Sequence, residues 1–283
     1  MNTLKTFILM GVLTFLMMLL GSAIGGRNGL IFALIIAGGM NFVSYWWSDK
    51  IVLSMYGAHP VDEHTHLYQL VEKLAKKANL PMPKVYLLNE QQPNAFATGR
   101  NPHHAAVAVT RGLMDIVDDN ELSGVIGHEL GHVQHRDILI STVAATMAGA
   151  ISFLANIAKW GAIFGGSRDS DDNRGGSPIV LLAMAIFAPI AAMLVQMAIS
   201  RTREYKADRF GAEVSGNPMY LANALRKLEM YSSRIPMRDA VPATENMFIV
   251  SPLAGNKLAN LFSTHPSTED RIKKLEEMKL GNR

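Results

Sequence analysis

Four runs of the sequence carry no charged residue: 6–23, 30–47, 138–158 and 179–200. Each is close to the ~20 apolar residues that cross a bilayer as a helix. They constrain the fold more than any other feature, because they divide the chain into two apolar pairs and two polar segments. The composition agrees, with 49% hydrophobic and only 18% charged residues. Arg27 is the only charge between the first two runs. A cleaved signal peptide cut near Ser22 and Ala23 would account for the first run alone, but a second follows at once. Trp46 and Trp47 close the second run as an aromatic belt does.

Charge predicts the orientation. Lys5, Lys50, Lys73, Lys76 and Lys77 flank the first pair, and Arg201, Arg203, Lys206 and Arg209 follow the fourth run. The connections within the pairs hold Arg27 in the first, and Lys159, with Arg168 and Arg174 amid Asp169, Asp171 and Asp172, in the second. The positive-inside rule then puts both polar segments in the cytoplasm, with four spans. Net charge is +3 with no basic stripe interleaved with aromatics, so nucleic-acid binding is not expected. With no cysteine in the chain, disulfides and thiolate metal sites are excluded.

In the first polar segment Leu67, Leu70, Val71, Leu74 and Ala78 recur at helical spacing. Residues 84–88, 94–97 and 105–110 read as strands, the last two joined by a turn at Gly99, Asn101 and Pro102. Residues 118–120 offer caps for a helix starting near Glu121 that has no evident stop and runs on toward the third apolar stretch. In the second polar segment a charged helix over 201–214 ends at Gly216. Asn217 and Pro218 start another, and Ser267 with Asp270 cap a last one. Residues 232–264 read as mostly loop.

The helix near Glu121 carries Gly127-His128-Glu129-Leu130-Gly131-His132. Two imidazoles four residues apart share a helix face and can reach one metal ion, and a carboxylate follows the first. This is the His-Glu-x-x-His pattern of zinc hydrolases. Glu129 is placed to take a proton from a water on that metal. His135 lies about 10 Å along the axis from His128, too far to join the same ion. Ile138 stands where the three-histidine variant of the pattern needs its third ligand.

The site therefore needs a third ligand from elsewhere. His132 lies about 9 Å along a helix before the third apolar run. A carboxylate at matching height after the fourth run is Glu204, about 6 Å beyond Ser200. Asp208 follows one turn later on the same face, positioned to bond a ligating imidazole. Glu213 is the fallback, about 20 Å from the run's end. Taken alone, Glu204 would be a solvated carboxylate beside Lys206 or Arg201. Two histidines and one carboxylate leave a position open for water, the mark of a catalytic zinc site. His265 and Tyr205 are candidate donors to a developing oxyanion.

His128-Glu-Leu-Gly-His132, an apolar hairpin, and then Ser200-Arg-Thr-Arg-Glu204-Tyr-Lys-Ala-Asp208 resemble the HtpX family of membrane zinc metalloproteases, over essentially the whole chain. The resemblance implies an α+β, mainly α fold: a gluzincin-type, zincin-like catalytic domain with a small β-sheet, fused to four transmembrane helices. Its parts would be spans 1 and 2 (1–49), the first catalytic segment (50–137), spans 3 and 4 (138–200, with a polar loop at 165–176) and the second catalytic segment (201–283). It implies one zinc ion on His128, His132 and Glu204, with Glu129 as base. Asn94, Ala95 and Phe96 are similar to the family's edge strand beside the substrate, which would hold a peptide by strand addition. Thr264-His-Pro-Ser267 resembles a further signature and favours His265 over Tyr205. The activity implied is a metalloendopeptidase of class EC 3.4.24 in the bacterial inner membrane, facing the cytoplasm. Its substrates would be damaged or misassembled membrane proteins and unfolded polypeptides, with self-cleavage included.

Two other readings compete. A catalytically idle scaffold with structural zinc has no need of Glu129 and lacks a fourth protein ligand. An intramembrane protease would place the motif inside an apolar run, with an Asp-Gly ligand pair in a later one. Here the motif precedes the run, and no Asp-Gly pair occurs.

Overall fold

The computed structural model describes residues 2–147, 200–232 and 266–281, with short pieces at 234–235, 244 and 247–250. The third apolar run beyond 147, the fourth run up to 199, the polar loop 165–176 and His265 lie outside the described residues.

Helical backbone covers Asn2–Met55 (α1). A straight helix of this length would measure about 80 Å. It is not straight, because Gly26 sits at φ +55, a left-handed conformation that interrupts an α-helix. The chain folds back there. A Cβ on Gly21 or Gly29 would collide with the other's carbonyl. Asn41 Nδ2 donates to Thr14 Oγ1 at 2.8 Å, and the rings of Phe7 and Tyr45 stack at 6.0 Å. The first two apolar runs are therefore antiparallel arms of a hairpin. Among the described residues one helix, Gly26–Met55, is long and apolar enough to cross a membrane; the other arm contributes the shorter apolar stretch Leu4–Leu19. The expectation of four spans thus reduces, on the described residues, to one clear candidate.

The sheet follows. β1 (His59–Pro60), β2 (Lys84–Leu88), β3 (Ala95–Gly99) and β4 (Ala105–Thr110) lie in the order β1-β2-β4-β3. β2 and β4 are parallel, with α2 (His66–Lys77) in the connection, and β3 and β4 are antiparallel, joined by a turn whose Asn101 caps a short 3-10 helix at Pro102–His104. Every residue of β3 and β4 is buried. Strand alternation explains how. Ala105, Val107 and Val109 enter a core shared with α2 and the helices described next, while Ala106, Ala108 and Phe96 enter a second core with Val52, Leu53 and Tyr56 at the end of α1. Both sheet faces are covered, so the strands read as continuous apolar runs.

After α3 (Arg111–Ile116), helix α4 (Asp119–Gln134) begins on a complete capping box of Asp118 and Glu121. Its end corrects the expectation that it continues toward the membrane. His135 is its C-cap, Arg136 takes a left-handed φ of 57, and a separate helix, α5 (Asp137–Met147), starts next. Arg136 is not a glycine, so this left-handed conformation is an uncommon one for its residue type. His135 Nδ1 bonds the Gly131 carbonyl at 2.7 Å, so this histidine closes α4. Leu139, Val143 and Met147 of α5 pack on Leu9, Met10 and Leu13 of the first arm.

The second polar segment forms α6 (Arg201–Ser215), α7 (Pro218–Ser232) and α8 (Thr268–Gly281). Gly216 ends α6 at φ 99, and Asn217 Oδ1 accepts from the Met219 N–H at the start of α7. Their apolar faces complete the larger core with Ala212, Leu221, Leu225 and Leu275.

Candidate metal centre

The site is built where α4 meets α6. Gly127 and Gly131 face Gly211 and Ala207, rising on one helix as they fall on the other, so the two run antiparallel. A Cβ on Gly127 would lie 3.0 Å from Gly211 Cα, and one on Gly131 would lie 2.9 Å from Ala207 Cα. Small residues at this spacing let two backbones touch, as no larger side chain would allow.

That contact carries Glu204, in the first turn of α6, to the motif. His128 Nε2 and His132 Nε2 are 3.2 Å apart, and Glu204 Oε2 and Oε1 lie 3.7 and 3.5 Å from them. These three side chains are the group of metal-type donors found among the described residues, with ligand atoms all within 4.8 Å of one another. All but His132 are buried. Glu213, the fallback, is exposed on α6 and pairs instead with Arg209 at 2.9 Å.

Both rings are fixed from behind. Asp208 Oδ1 lies 2.9 Å from His128 Nδ1, and Asp137 Oδ2 lies 3.3 Å from His132 Nδ1. A carboxylate on each Nδ1–H leaves each Nε2 as the lone pair that can hold a cation, so the donor set fits a zinc ion. Sequence reasoning anticipated Asp208 but missed Asp137, which reaches back only because α4 breaks at Arg136. It also missed Arg271. This buried residue of α8 binds Asp208 through Nε at 2.9 Å and Nη2 at 2.6 Å, and donates from Nη1 to the Ile249 carbonyl at 3.0 Å. Its one sequence signal is a basic residue four beyond the helix cap Ser267.

The electrostatics follow from burial. Desolvation, with Arg271 nearby, pushes the His128 ring down, keeping it neutral. At His132 burial acts the same way, but the carboxylates of Glu204 and Asp137 outweigh it and lift the ring to about 9, so a cation entering here displaces a proton. Glu129 is 1% exposed, and burial lifts its carboxyl to about 7; Glu204 adds to the rise, while His132 and the Ala97 N–H, which bonds the carboxylate, oppose it. A buried carboxyl near neutrality beside two imidazoles can accept and return a proton.

The cleft is also lined by Ile138, Ser141, Arg203, Met247, Phe248 and Ile249, and leaves about 20 Å³ for a water-sized occupant. β3 forms one wall. Asn94, Ala95 and Phe96 are all buried. The outer edge of β3 is partly taken by the chain itself: the Ile249 N–H donates to the Ala95 carbonyl at 3.3 Å, Asn94 Nδ2 to the Val250 carbonyl at 2.8 Å, and the Gly99 N–H to Thr142 Oγ1 at 3.4 Å. The Phe96 ring packs on Tyr56 and Phe248, away from solvent. Tyr205 is not among the lining residues, and Lys274 Nζ covers its ring at 3.3 Å. His265 lies outside the described residues.

Comparison with known proteins supplies context for this geometry. The pattern of Peptidase family M48 matches residues 62–279. Three relatives named Protease HtpX homolog align over nearly the whole chain. That of Desulforapulum autotrophicum is 58% identical over 97% of this chain and 89% of its own length. That of Syntrophotalea carbinolica is 58% identical over 98% and 99%, and that of Ralstonia pickettii 57% over 98% and 96%. Among solved structures, the crystal structure of S. mikatae Ste24p superposes on 97% of this chain with a TM-score of 0.53 at 18% identity. This chain spans 64% of that one's length, and the likeness is one of fold.

Proposed function

The chain belongs to Peptidase family M48 and within it to the HtpX family of proteases, and on that premise we propose that it is a membrane-bound zinc endopeptidase acting at the cytoplasmic face. The observation that carries this reading is the convergence of His128 Nε2, His132 Nε2 and Glu204 with Glu129 buried beside the first ligand. Zinc held by those three residues supplies Lewis-acid polarisation of a scissile carbonyl and an acidified water. Glu129 takes the proton of the attacking water and delivers it to the leaving amine, a role suited to a carboxyl near 7. Asp208 and Asp137 hold the two imidazoles in the tautomer that turns Nε2 inward, and Arg271 holds Asp208.

The substrate strand runs along β3 beside Asn94, Ala95 and Phe96 in place of residues 249–250, which take part of that edge in the structure, and its backbone hydrogen bonds give affinity without demanding one sequence. That suits a protease for damaged or misassembled membrane proteins, for unfolded chains and for copies of itself. His265 supplies the oxyanion donor. The two catalytic segments, 50–137 and 201–283, act as one domain, which the larger core supports by drawing residues from both. The chain resides in the bacterial inner membrane with four spans, and the Gly26–Met55 helix supports its placement there.

The deciding experiment compares the zinc-loaded wild type with Glu129→Gln on casein. The variant should keep zinc and fold and lose cleavage by about 10³-fold. Equal cleavage by the variant would overturn the mechanism. No cleavage by the zinc-loaded wild type on casein or a model membrane substrate would leave the scaffold reading.

A further inference from the structure

At the polar end of α1, about where residues 30–47 would leave a bilayer, lies a cavity of about 560 Å³. This is within the ~300–1,000 Å³ of small-molecule sites. It is remote in kind from the metal centre, and no lining residue is common to both. One wall is aromatic, formed by Phe42, Trp46 and Trp47 of α1. The rim is basic, formed by Lys50 of α1, Lys84 of β2 and Arg100, which follows β3. Asp49 is the one carboxylate in the lining, and His103 and His104 add further donors.

Three features of this cavity point to one class of ligand. Its cations are uncommitted: among the described residues no ion pair involves Lys50, Lys84 or Arg100. Arg100 is oriented by an aromatic face instead, its guanidinium 4.6 Å from the Trp46 ring centroid. The apolar wall continues down the exposed face of α1, where Phe32, Ile35 and Val43 face outward. A soluble anion would satisfy the basic rim and leave the aromatic wall unused. An anionic head joined to acyl chains satisfies both, with the head among the cations and the chains along α1.

We propose that this cavity seats the headgroup of an anionic glycerophospholipid from the leaflet on the side of the metal centre, fixing the sheet against the membrane surface. Arg100 directly follows β3, so the lipid would set the height of the strand that walls the metal centre. The proposal rests on the reading of residues 30–47 as a membrane span. Each cation near an anionic surface contributes roughly a fivefold preference.

The test reconstitutes the full chain, in a Trp160→Phe background, into phosphatidylcholine vesicles holding brominated phosphatidylglycerol or brominated phosphatidylcholine at equal mole fraction. Bromine quenches only nearby tryptophans, leaving Trp46 and Trp47 as reporters. Brominated phosphatidylglycerol should quench at least twice as strongly. Lys84→Gln/Arg100→Gln should abolish the difference, and millimolar glycerol phosphate should not compete. Equal quenching by the two lipids, a preference that survives the double variant, or displacement by glycerol phosphate would overturn the proposal. Absence of quenching by either lipid would remove the span and the site together. Should the double variant not reconstitute, Lys84→Gln alone decides, since that position is exposed: a reduced preference supports the site and an unchanged one overturns it. Proteolysis is not read in this experiment, so its failure is distinct from failure of the protease reading.

Discussion

Asp137 Oδ2 lies 3.3 Å from His132 Nδ1 across the break between α4 and α5. The first residue of the helix that heads toward the apolar segment thus orients a residue of the metal group. Asp137→Asn should keep the fold and weaken zinc binding about 10–100-fold, the usual cost of losing such a partner. Competition with a calibrated chelator measures this directly, and an unchanged affinity would show that His132 needs no orientation from α5.

The third donor is open to a paired comparison on one helix. Glu204 is buried against both imidazoles, whereas Glu213 is exposed and engaged with Arg209. Zinc per chain should fall below about a tenth in Glu204→Gln, since a catalytic site needs its third protein ligand. Glu213→Gln should retain it. The reverse pattern in elemental analysis would mean that α6 does not present Glu204 to the metal.

Replacing Gly131 with alanine gives an outcome opposite in sign to the usual helix rule. In an exposed helix Gly→Ala gains about 1 kcal/mol. Here the new Cβ would sit 2.9 Å from Ala207 Cα, against backbone that cannot rotate away. Overpacking of this kind costs about 1–3 kcal/mol. Gly131→Ala should therefore lower the unfolding temperature, while Gly38→Ala, with nothing within 4 Å of its Cβ, should not.

Arg271 and Asp208 form a buried pair, and removing one partner strands the other. Arg271→Met should cost about 3–5 kcal/mol, and adding Asp208→Asn should recover part of it. The pH dependence has a definite sign. Burial favours the neutral Asp208 carboxyl, but the Arg271 charge prevails and holds it well below the usual carboxylate range. The stabilisation is therefore complete above the unfolded carboxyl's pKa of about 4 and fades as the pH falls below it. Denaturation curves of wild type and Arg271→Met should diverge at neutral pH and draw together in acid.

Much of this site was legible in the chain. His128, Glu129 and His132 declare themselves by helical spacing, Glu204 by its height after the fourth apolar run, and Asp208 by standing one turn further on the same face. Caps at Asp118, Asn217 and Ser267 mark helix starts because their side chains act locally. What stayed hidden depends on distant segments meeting. Arg271 reaches Asp208 from 63 residues away, so no local pattern reports it. The stop at Arg136 has no glycine or proline to announce it. Gly124, Gly127 and Gly131 were visible, but their meaning lies in the facing helices. The edge of β3 was foreseen as open, and only the folded chain reveals Ile249 and Val250 bonded along it.

The small sheet has two covered faces, and one of them is covered by α1 and α5. Val52 and Leu53 belong to the same helical segment as Trp46, Tyr56 directly follows it, and Ala145 belongs to the helix that begins at Asp137. A cut at residue 49 would sever α1 within its helix, and a cut at 137 would strip Ala145 from Phe96 and Ala108. A water-soluble fragment made by deleting the apolar segments would thus carry a bare sheet face and take from Asp137 the helix that positions it behind His132. The protein is better handled whole, in detergent or lipid, because its anchor is also part of its interior.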